Sequence, residues 1–403
     1  MWKARFLSLL LVLVLCPLSV QGKGFSTIYV LGDSLSDQGN LFQATYDLLD
    51  LGIPVENYYY LGRFAEGEIY IDQLAAKLEL SVVATHFGGS NFAYGGSRTD
   101  YNTVEQVLPR AAYPWSLNLQ REAFAARGIA DPEALYVVFS GSDDVTDLVG
   151  AVLTQGPAVA APMIAEVVVG ISRVIEAFIV AGARDILVPL VPDLGLVPRV
   201  IEQDPLPGFP LDSKLVAQTA TALTAQLNTA IVAMLKNYPQ ANIVVFDTFT
   251  MLQNVIAAPA NYGFENVSAA CYSGFVDTPG PEQTICDDPS GYLFWDNEHP
   301  TTAGHQMLAE QMLQTLIEAM MAEFADELTQ LDLLSPPLMQ ELAVIQKLLA
   351  DDNQTNDVAA IANLKAISKF LEKLGSSSLV ASDTDPLSAR ALKIAELIEA
   401  NIL

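Results

Sequence analysis

From Phe25 onward, short runs of β-branched and apolar residues alternate with longer stretches in which apolar side chains recur every three or four positions. FSTIYVLGDS is followed by EIYIDQLAAKL, and ALYVVFSGSDD by a long apolar helix over residues 158–181. RDILVPLVPDLG precedes DSKLVAQTATALTAQLNTAIVAMLKNY, and NIVVFDTF precedes MLQNVIAA. Strands of continuous Val, Ile and Leu bury both faces, so they belong in a parallel sheet covered by helices on either side. The pattern predicts a doubly wound α/β domain. Ligands of such sheets sit beyond the carboxyl ends of the strands. Gly32 to Ser34, Gly141 to Asp144 and Asp247 fall at those ends.

The texture changes twice. Residues 261–291 are rich in Gly, Pro, Ser and Asp and hold two cysteines, which reads as a long stapled loop that delivers the chain to a helix starting in WDNEHPTTAGHQML. From about residue 324 to 403 the strand signal stops, and three or four amphipathic helices are separated by SPP, DDNQTND and GSSS. The expected division is a signal segment over residues 1–22, an α/β domain over 23–323 and a helical extension over 324–403. A packed helical appendage explains the extension more simply than a membrane-lying or partner-binding module.

With 403 residues and 51% hydrophobic composition, the chain can bury a full core. Its formal charge of −27 excludes nucleic acid as a partner, because that binding needs a Lys and Arg footprint to displace counterions. Residues 1–22, MWKARFLSLLLVLVLCPLSVQG, combine two positive charges, an apolar run and small residues near the end, the anatomy of a secretory signal peptide. The run is too short for a stable membrane span. Leu13, Val14 and Leu15 lack the small residue that a lipid anchor on Cys16 requires. The mature chain, secreted or periplasmic, then keeps Cys271 and Cys286, for which a disulfide is the leading reading. Closing that loop stabilises by about 3 kcal/mol in the chain-entropy model. No metal or cofactor is expected: the cysteines are far from His86, and the spacing of His299 and His305 matches no common zinc motif.

Ser34 follows the first strand, and Ser34 to Asp37 also fits an S-x-x-D capping box, so locally the residue reads as a helix cap or a nucleophile. His299 stands just before a helix in D-x-x-H, where Asp296 is close enough in sequence to fix the imidazole tautomer. Each signal is weak alone: His299 also reads as a surface helix cap and Asp296 as a turn residue. His305 lies further along that helix, and His86 has no acidic neighbour in sequence.

The ordered set of blocks resembles the GDSL (SGNH) family of serine esterases and lipases, in its secreted lipase-like branch. It comprises GDSLSD at 32–37, LGRFAEGEIYIDQLA at 61–75, SNFAYGGS at 90–97, ILVPLVPDLGLVP at 186–198 and DNEHPT at 296–301. The resemblance implies a three-layer α/β/α fold, Ser34 as nucleophile, His299 as base and Asp296 as acid. It also implies an oxyanion hole from the Ser34 amide, the Gly96 amide (Gly95 in the alternative register) and an asparagine side chain. The substrates it implies are lipid or small acyl esters, with glycan O-acetyl esters as the alternative.

The chain departs from the family at the asparagine. G-x-N-D is replaced by Gly141-Ser142-Asp143-Asp144, and ionised Asp143 cannot donate a hydrogen bond. Three readings stay open: a protonated Asp143, an Asp143 turned away with Ser142 or two amides in its place, or a weakened or inactive protein that binds without turnover.

Overall fold

The structure, a computed structural model, describes residues 24–102, 113–201, 212–276, 283–331, 333, 335–349, 354–377 and 381–402. The expected signal segment and Cys16 lie outside the described residues. In chain order the elements are β1 (Ile28–Gly32), α1 (Asn40–Leu49), α2 (Tyr70–Lys77), α3 (Leu117–Ala126), β2 (Leu135–Phe139), α4 (Ser142–Gln155), α5 (Ala160–Val180), β3 (Asp185–Pro189) and α6 (Pro198–Ile201). They continue as α7 (Ser213–Leu235), β4 (Asn242–Phe246), α8 (Thr248–Ala257), β5 (Asn266–Ala270), β6 (Tyr292–Phe294), α9 (Thr302–Gln330), α10 (Pro336–Leu349), α11 (Gln354–Ser377) and α12 (Ala381–Ile402).

Strands β1 to β4 form a parallel sheet in that order, with Ile28 opposite Leu135 and Asp185 opposite Asn242. On the side of β1 away from β2, Asn91 bridges in parallel to Val30. Alternate strand residues enter opposite cores, as the pleat requires. Ile28, Val30, Val137 and Val244 pack with α2 and α9. Leu31, Tyr136, Val138 and Ile186 pack with α3, α4, α5 and α7. This is the three-layer α/β/α arrangement that the resemblance implies. Each fully buried Val, Leu, Ile or Phe contributes roughly 1.5–3 kcal/mol relative to exposure.

Helix α5 shows why the apolar run at 158–181 is helical. Ile164, Val167, Ile171, Val174 and Phe178 recur every three or four residues and bury one stripe. Phe178 meets Phe124 of α3 at 5.3 Å and Tyr136 of β2 at 5.1 Å between ring centroids. Helices α1 and α3 add to the elements expected from the sequence, burying Leu41 and Ala44 in α1 and Leu117 and Phe124 in α3. The expected loop over 261–291 contains a strand, β5, which pairs with β6 just beyond it.

The division expected at residue 324 falls inside α9, where Phe324 and Leu328 are fully buried. Leu364, Ile367 and Leu371 of α11 and Ile394, Leu397 and Ile398 of α12 join the same apolar cluster as β1 and α2. Lys393 of α12 donates to Asp185 of β3 at 2.7 Å, and Glu396 accepts the Gly24 amide at 3.1 Å. Among the described residues no helix is long and apolar enough to cross a membrane.

Candidate active site

The turn after β1 is held from three sides. A Cβ at Gly32 would lie 2.2 Å from the Phe139 carbonyl oxygen, so only glycine lets β1 approach β2 here. Gln120 of α3 grips the same residue twice: its Oε1 accepts the Gly32 amide and its Nε2 donates to the Gly32 carbonyl, both at 2.9 Å. The Asp33 amide donates to the Phe139 carbonyl at 3.3 Å.

The capping box expected at Ser34 to Asp37 does not form, because α1 starts only at Asn40. The Asp37 carboxylate serves the start of α1 and one distant amide instead. Its Oδ1 accepts the amides of Gly39 at 2.8 Å and Asn40 at 2.6 Å, and its Oδ2 those of Leu41 at 3.1 Å and Gly95 at 2.8 Å. Asp37 thereby ties GDSLSD to SNFAYGGS and leaves the Ser34 hydroxyl out of any cap.

Ser34 Oγ lies 2.9 Å from His299 Nε2, although 265 residues separate them. His299 Nδ1 lies 2.8 Å from Asp296 Oδ2 and 3.0 Å from Oδ1. With the Nδ1 proton on the Asp296 side, Nε2 is the acceptor for the serine hydroxyl. Asp296 is fixed by the amides of Glu298 at 2.8 Å and His299 at 2.7 Å, and by the Tyr59 hydroxyl, which donates to Oδ2 at 2.7 Å. The Phe64 ring packs 4.9 Å from the imidazole. Behind it Thr301, not His299, caps α9 by accepting the Gly304 amide at 3.1 Å, and His299 is buried rather than at the surface. His299 is buried, which works against its charged form, but the pairing with Asp296 together with the fields of Asp143 and Asp33 outweighs this and raises it above the ordinary imidazole value.

Of the two candidate oxyanion glycines, Gly95 already gives its amide to Asp37. Gly96 sits at φ +72° in the left-handed region, and no acceptor among the described residues takes its amide or that of Ser34. Asp143 is in the first turn of α4, and its Oδ1 accepts from Arg98 Nη1 at 3.1 Å. The same Nη1 donates to the Gly96 carbonyl at 2.9 Å, and Arg98 also holds Asp147 through Nε at 2.8 Å and Nη2 at 3.1 Å. Burial raises the Asp143 carboxyl above the ordinary carboxylate value, and Arg98 and His299 oppose this without reversing it.

Ser34, Ser142, Asp143 and His299 line one cavity of about 290 Å³, near the lower end of small-molecule sites. Its walls are largely apolar and include Leu35, Val149, Leu153, Val200, Met251 and Met307. Helix α5 supplies none of the lining, so its apolar stripe serves the core. Arg199, paired with Glu298, is the cavity's one cationic side chain among the described residues.

A family model described as GDSL-like lipase/acylhydrolase matches residues 28–312. The chain belongs to that family of ester hydrolases. It is similar to Lipase 1 of Photorhabdus luminescens, with 25% identity covering 72% of this chain and 50% of that protein. The chain thus spans half the length of that relative. A GDSL esterase/lipase of Arabidopsis thaliana is 27% identical over 75% of this chain and 90% of its own length. Phosphatidylcholine-sterol acyltransferase of Aeromonas hydrophila is 25% identical, covering 71% of this chain and 77% of that protein.

Within this family frame, the remaining residues singled out in the sequence have structural settings. Asp247 caps α8 by accepting the Thr250 amide at 3.0 Å. His305 is fully buried beside Tyr70, and burial pushes it down to about 3, so it is a neutral core imidazole at ordinary pH. His86 lies 3.5 Å from Asp47, a partner that its neighbours in sequence do not supply. Cys271 and Cys286 are joined in a disulfide. No group of metal-binding side chains occurs among the described residues. Sequence reasoning missed Tyr59, Phe64, Arg98 and Arg199. Arg98, two residues beyond Gly96, was the one with a usable signal: a lone cation beside a block that faces an acidic helix start.

Proposed function

We propose that this protein hydrolyses carboxylic esters of apolar acyl groups through a covalent acyl-enzyme on Ser34. The observation that carries the reading is the 2.9 Å contact between Ser34 Oγ and His299 Nε2, with Asp296 on the far side of the ring. His299 takes the hydroxyl proton as Oγ attacks the ester carbonyl, and Asp296 stabilises the imidazolium. The Ser34 and Gly96 amides receive the oxyanion. Collapse expels the alcohol, which takes the proton from His299, and a water activated by the same imidazole then releases the acid and restores Ser34. The apolar cavity beside Ser34 favours lipid or other apolar acyl esters over O-acetylated glycans, which need no such volume.

The amino-terminal apolar segment and the disulfide support export, with residues 23–323 as the hydrolase unit and 324–403 as its helical extension. Asp143 favours a second reading, a weakened or inactive protein that binds esters without turnover.

Nitrophenyl esters of graded chain length, tested on wild type and Ser34→Ala, separate the two. Turnover that vanishes in the variant, together with fluorophosphonate labelling of Ser34, supports the hydrolase. Ester binding by an unlabelled, inactive wild type would leave the second reading.

A further inference from the structure

Asp296 is held by a hydroxyl far from it in sequence. Tyr59 and Asp296 are 237 residues apart, yet Tyr59 Oη donates to Asp296 Oδ2 at 2.7 Å, the same oxygen that faces His299 Nδ1. Both side chains are buried, at 3% and 1% exposure, so the bond is made out of water, where a hydrogen bond to a charged acceptor is strongest.

Tyr59 does not stand alone. Its ring meets Tyr272 edge-on at 5.8 Å and Trp295 at 6.5 Å, and these two stack on each other at 5.6 Å. Tyr58, next in the chain, stacks on Tyr272 at 4.7 Å. Tyr272 directly follows Cys271, whose disulfide to Cys286 belongs to the same cluster. The Val55 amide donates to the Val276 carbonyl at 2.9 Å, a second tie between the tyrosine loop and the stapled segment.

We infer that Tyr59 is a positioning residue for the ester hydrolysis, its hydroxyl fixing the Asp296 carboxylate against the His299 ring from an aromatic platform that the Cys271–Cys286 disulfide holds in place. This rests on the catalytic roles proposed for Ser34, His299 and Asp296. It assigns the stapled segment work at the site as well as in the fold. The Tyr59 hydroxyl acts through Asp296, while its ring also meets Phe64, the neighbour of the imidazole, edge-on at 6.4 Å.

The direction of the effect follows from the charge. A carboxylate that loses a donor concentrates its charge on the remaining partner, which favours the imidazolium. The other charged or titratable groups facing this pair are Asp33 beyond β1, Asp143 of α4, Arg199 of α6, Glu298 in the preceding turn, and Tyr272 and His305. All of them stay in place in Tyr59→Phe, which removes one oxygen and keeps the ring.

The test is a titration of full-length wild type and Tyr59→Phe labelled with ¹⁵N-histidine, followed by NMR, beside steady-state kinetics. The chain has three histidines; burial keeps His305 neutral over the range, and a His86→Gln variant identifies the signal of His86, which leaves that of His299. In Tyr59→Phe the His299 midpoint should rise by about half a pH unit or more. Its kcat should fall on the order of tenfold with KM unchanged. An unmoved midpoint overturns the inference whether or not the wild type turns over esters. Loss of the hydrolase reading would show instead as Ser34→Ala equal to wild type. A parallel Tyr59→Leu variant separates the hydroxyl from the ring: a midpoint shift seen only there would assign Tyr59 to packing and overturn its positioning role.

Discussion

Arg98 Nη1 lies 3.1 Å from Asp143 Oδ1, at the position where the family resemblance expects an asparagine. The guanidinium is 8% exposed and spans Asp143, Asp147 and the Gly96 carbonyl, so a carboxylate at 143 arrives already partnered. An unpaired carboxylate about 4 Å from a forming oxyanion would oppose it by a few kcal/mol at an effective dielectric near 20. Arg98→Met should therefore reduce kcat by roughly 10²-fold, while Asp143→Asn alone changes it far less. In the double variant much of the Arg98→Met loss should return, a coupling that kinetics on the full cycle would measure. Strict additivity of the two single effects would refute the compensation.

In the proposed mechanism the acid limb of kcat/KM reports His299. Its protonated form cannot accept the Ser34 proton, and its pairing with Asp296, together with the fields of Asp143 and Asp33, raises it above the ordinary imidazole value against the effect of burial. Activity should accordingly be full above that raised value and fall as pH drops through it, with the midpoint above 6.5, the unperturbed imidazole value. A pH profile of nitrophenyl ester hydrolysis measures this directly, and a limb below that value would contradict the assignment of the base.

Gly150 offers a way to narrow the cavity. It lines the cavity from within α4, and nothing lies within 4 Å of where its Cβ would stand. Gly150→Leu should raise stability by about 0.5 kcal/mol, since glycine weakens a helix interior. It should lower hydrolysis of long acyl chains several-fold while sparing acetyl and butyryl esters. Equal losses across the chain-length series would mean that acyl chains do not enter here.

Lys393 pins the carboxyl-terminal helix α12 to the sheet. Its ammonium donates to Asp185 at 2.7 Å and sits 4.0 Å over the Phe25 ring, with side-chain exposures of 15% for Lys393 and 7% for Asp185. Lys393→Met strands a buried carboxylate whose remaining side-chain partner is Asn242 at 3.0 Å. Breaking such a pair should cost about 3 kcal/mol, read as a lower urea midpoint. A stability equal to wild type would show that α12 docks by apolar contact alone.

Much of the fold was legible because its signals are local. Continuous Val and Ile runs gave β1 to β4, the three-and-four spacing gave α5 and α7, and the change of texture after residue 324 marked α10 to α12. The disulfide followed from there being two cysteines left once the signal segment is set aside. Helix α1 escaped because its start is capped by no side chain of its own; Asp37, three residues earlier, serves it while also binding Gly95. That second bond is tertiary, and the capping box read at Ser34 is absent because the helix starts six residues later, at Asn40.

The sequence by itself determined the α/β class, the secondary elements of the sheet and the chemical identities of Ser34, Asp296 and His299, because these depend on side-chain type and on spacings of a few residues. Only the tertiary structure decided that Ser34 meets His299, that Gly96 rather than Gly95 keeps an unclaimed amide, that Arg98 answers Asp143 and that Tyr59 holds Asp296. Those contacts join residues 45 to 265 positions apart. Packing of helices on the sheet brings such groups together, and the free energy of that packing is shared among dozens of buried apolar side chains rather than written in any motif.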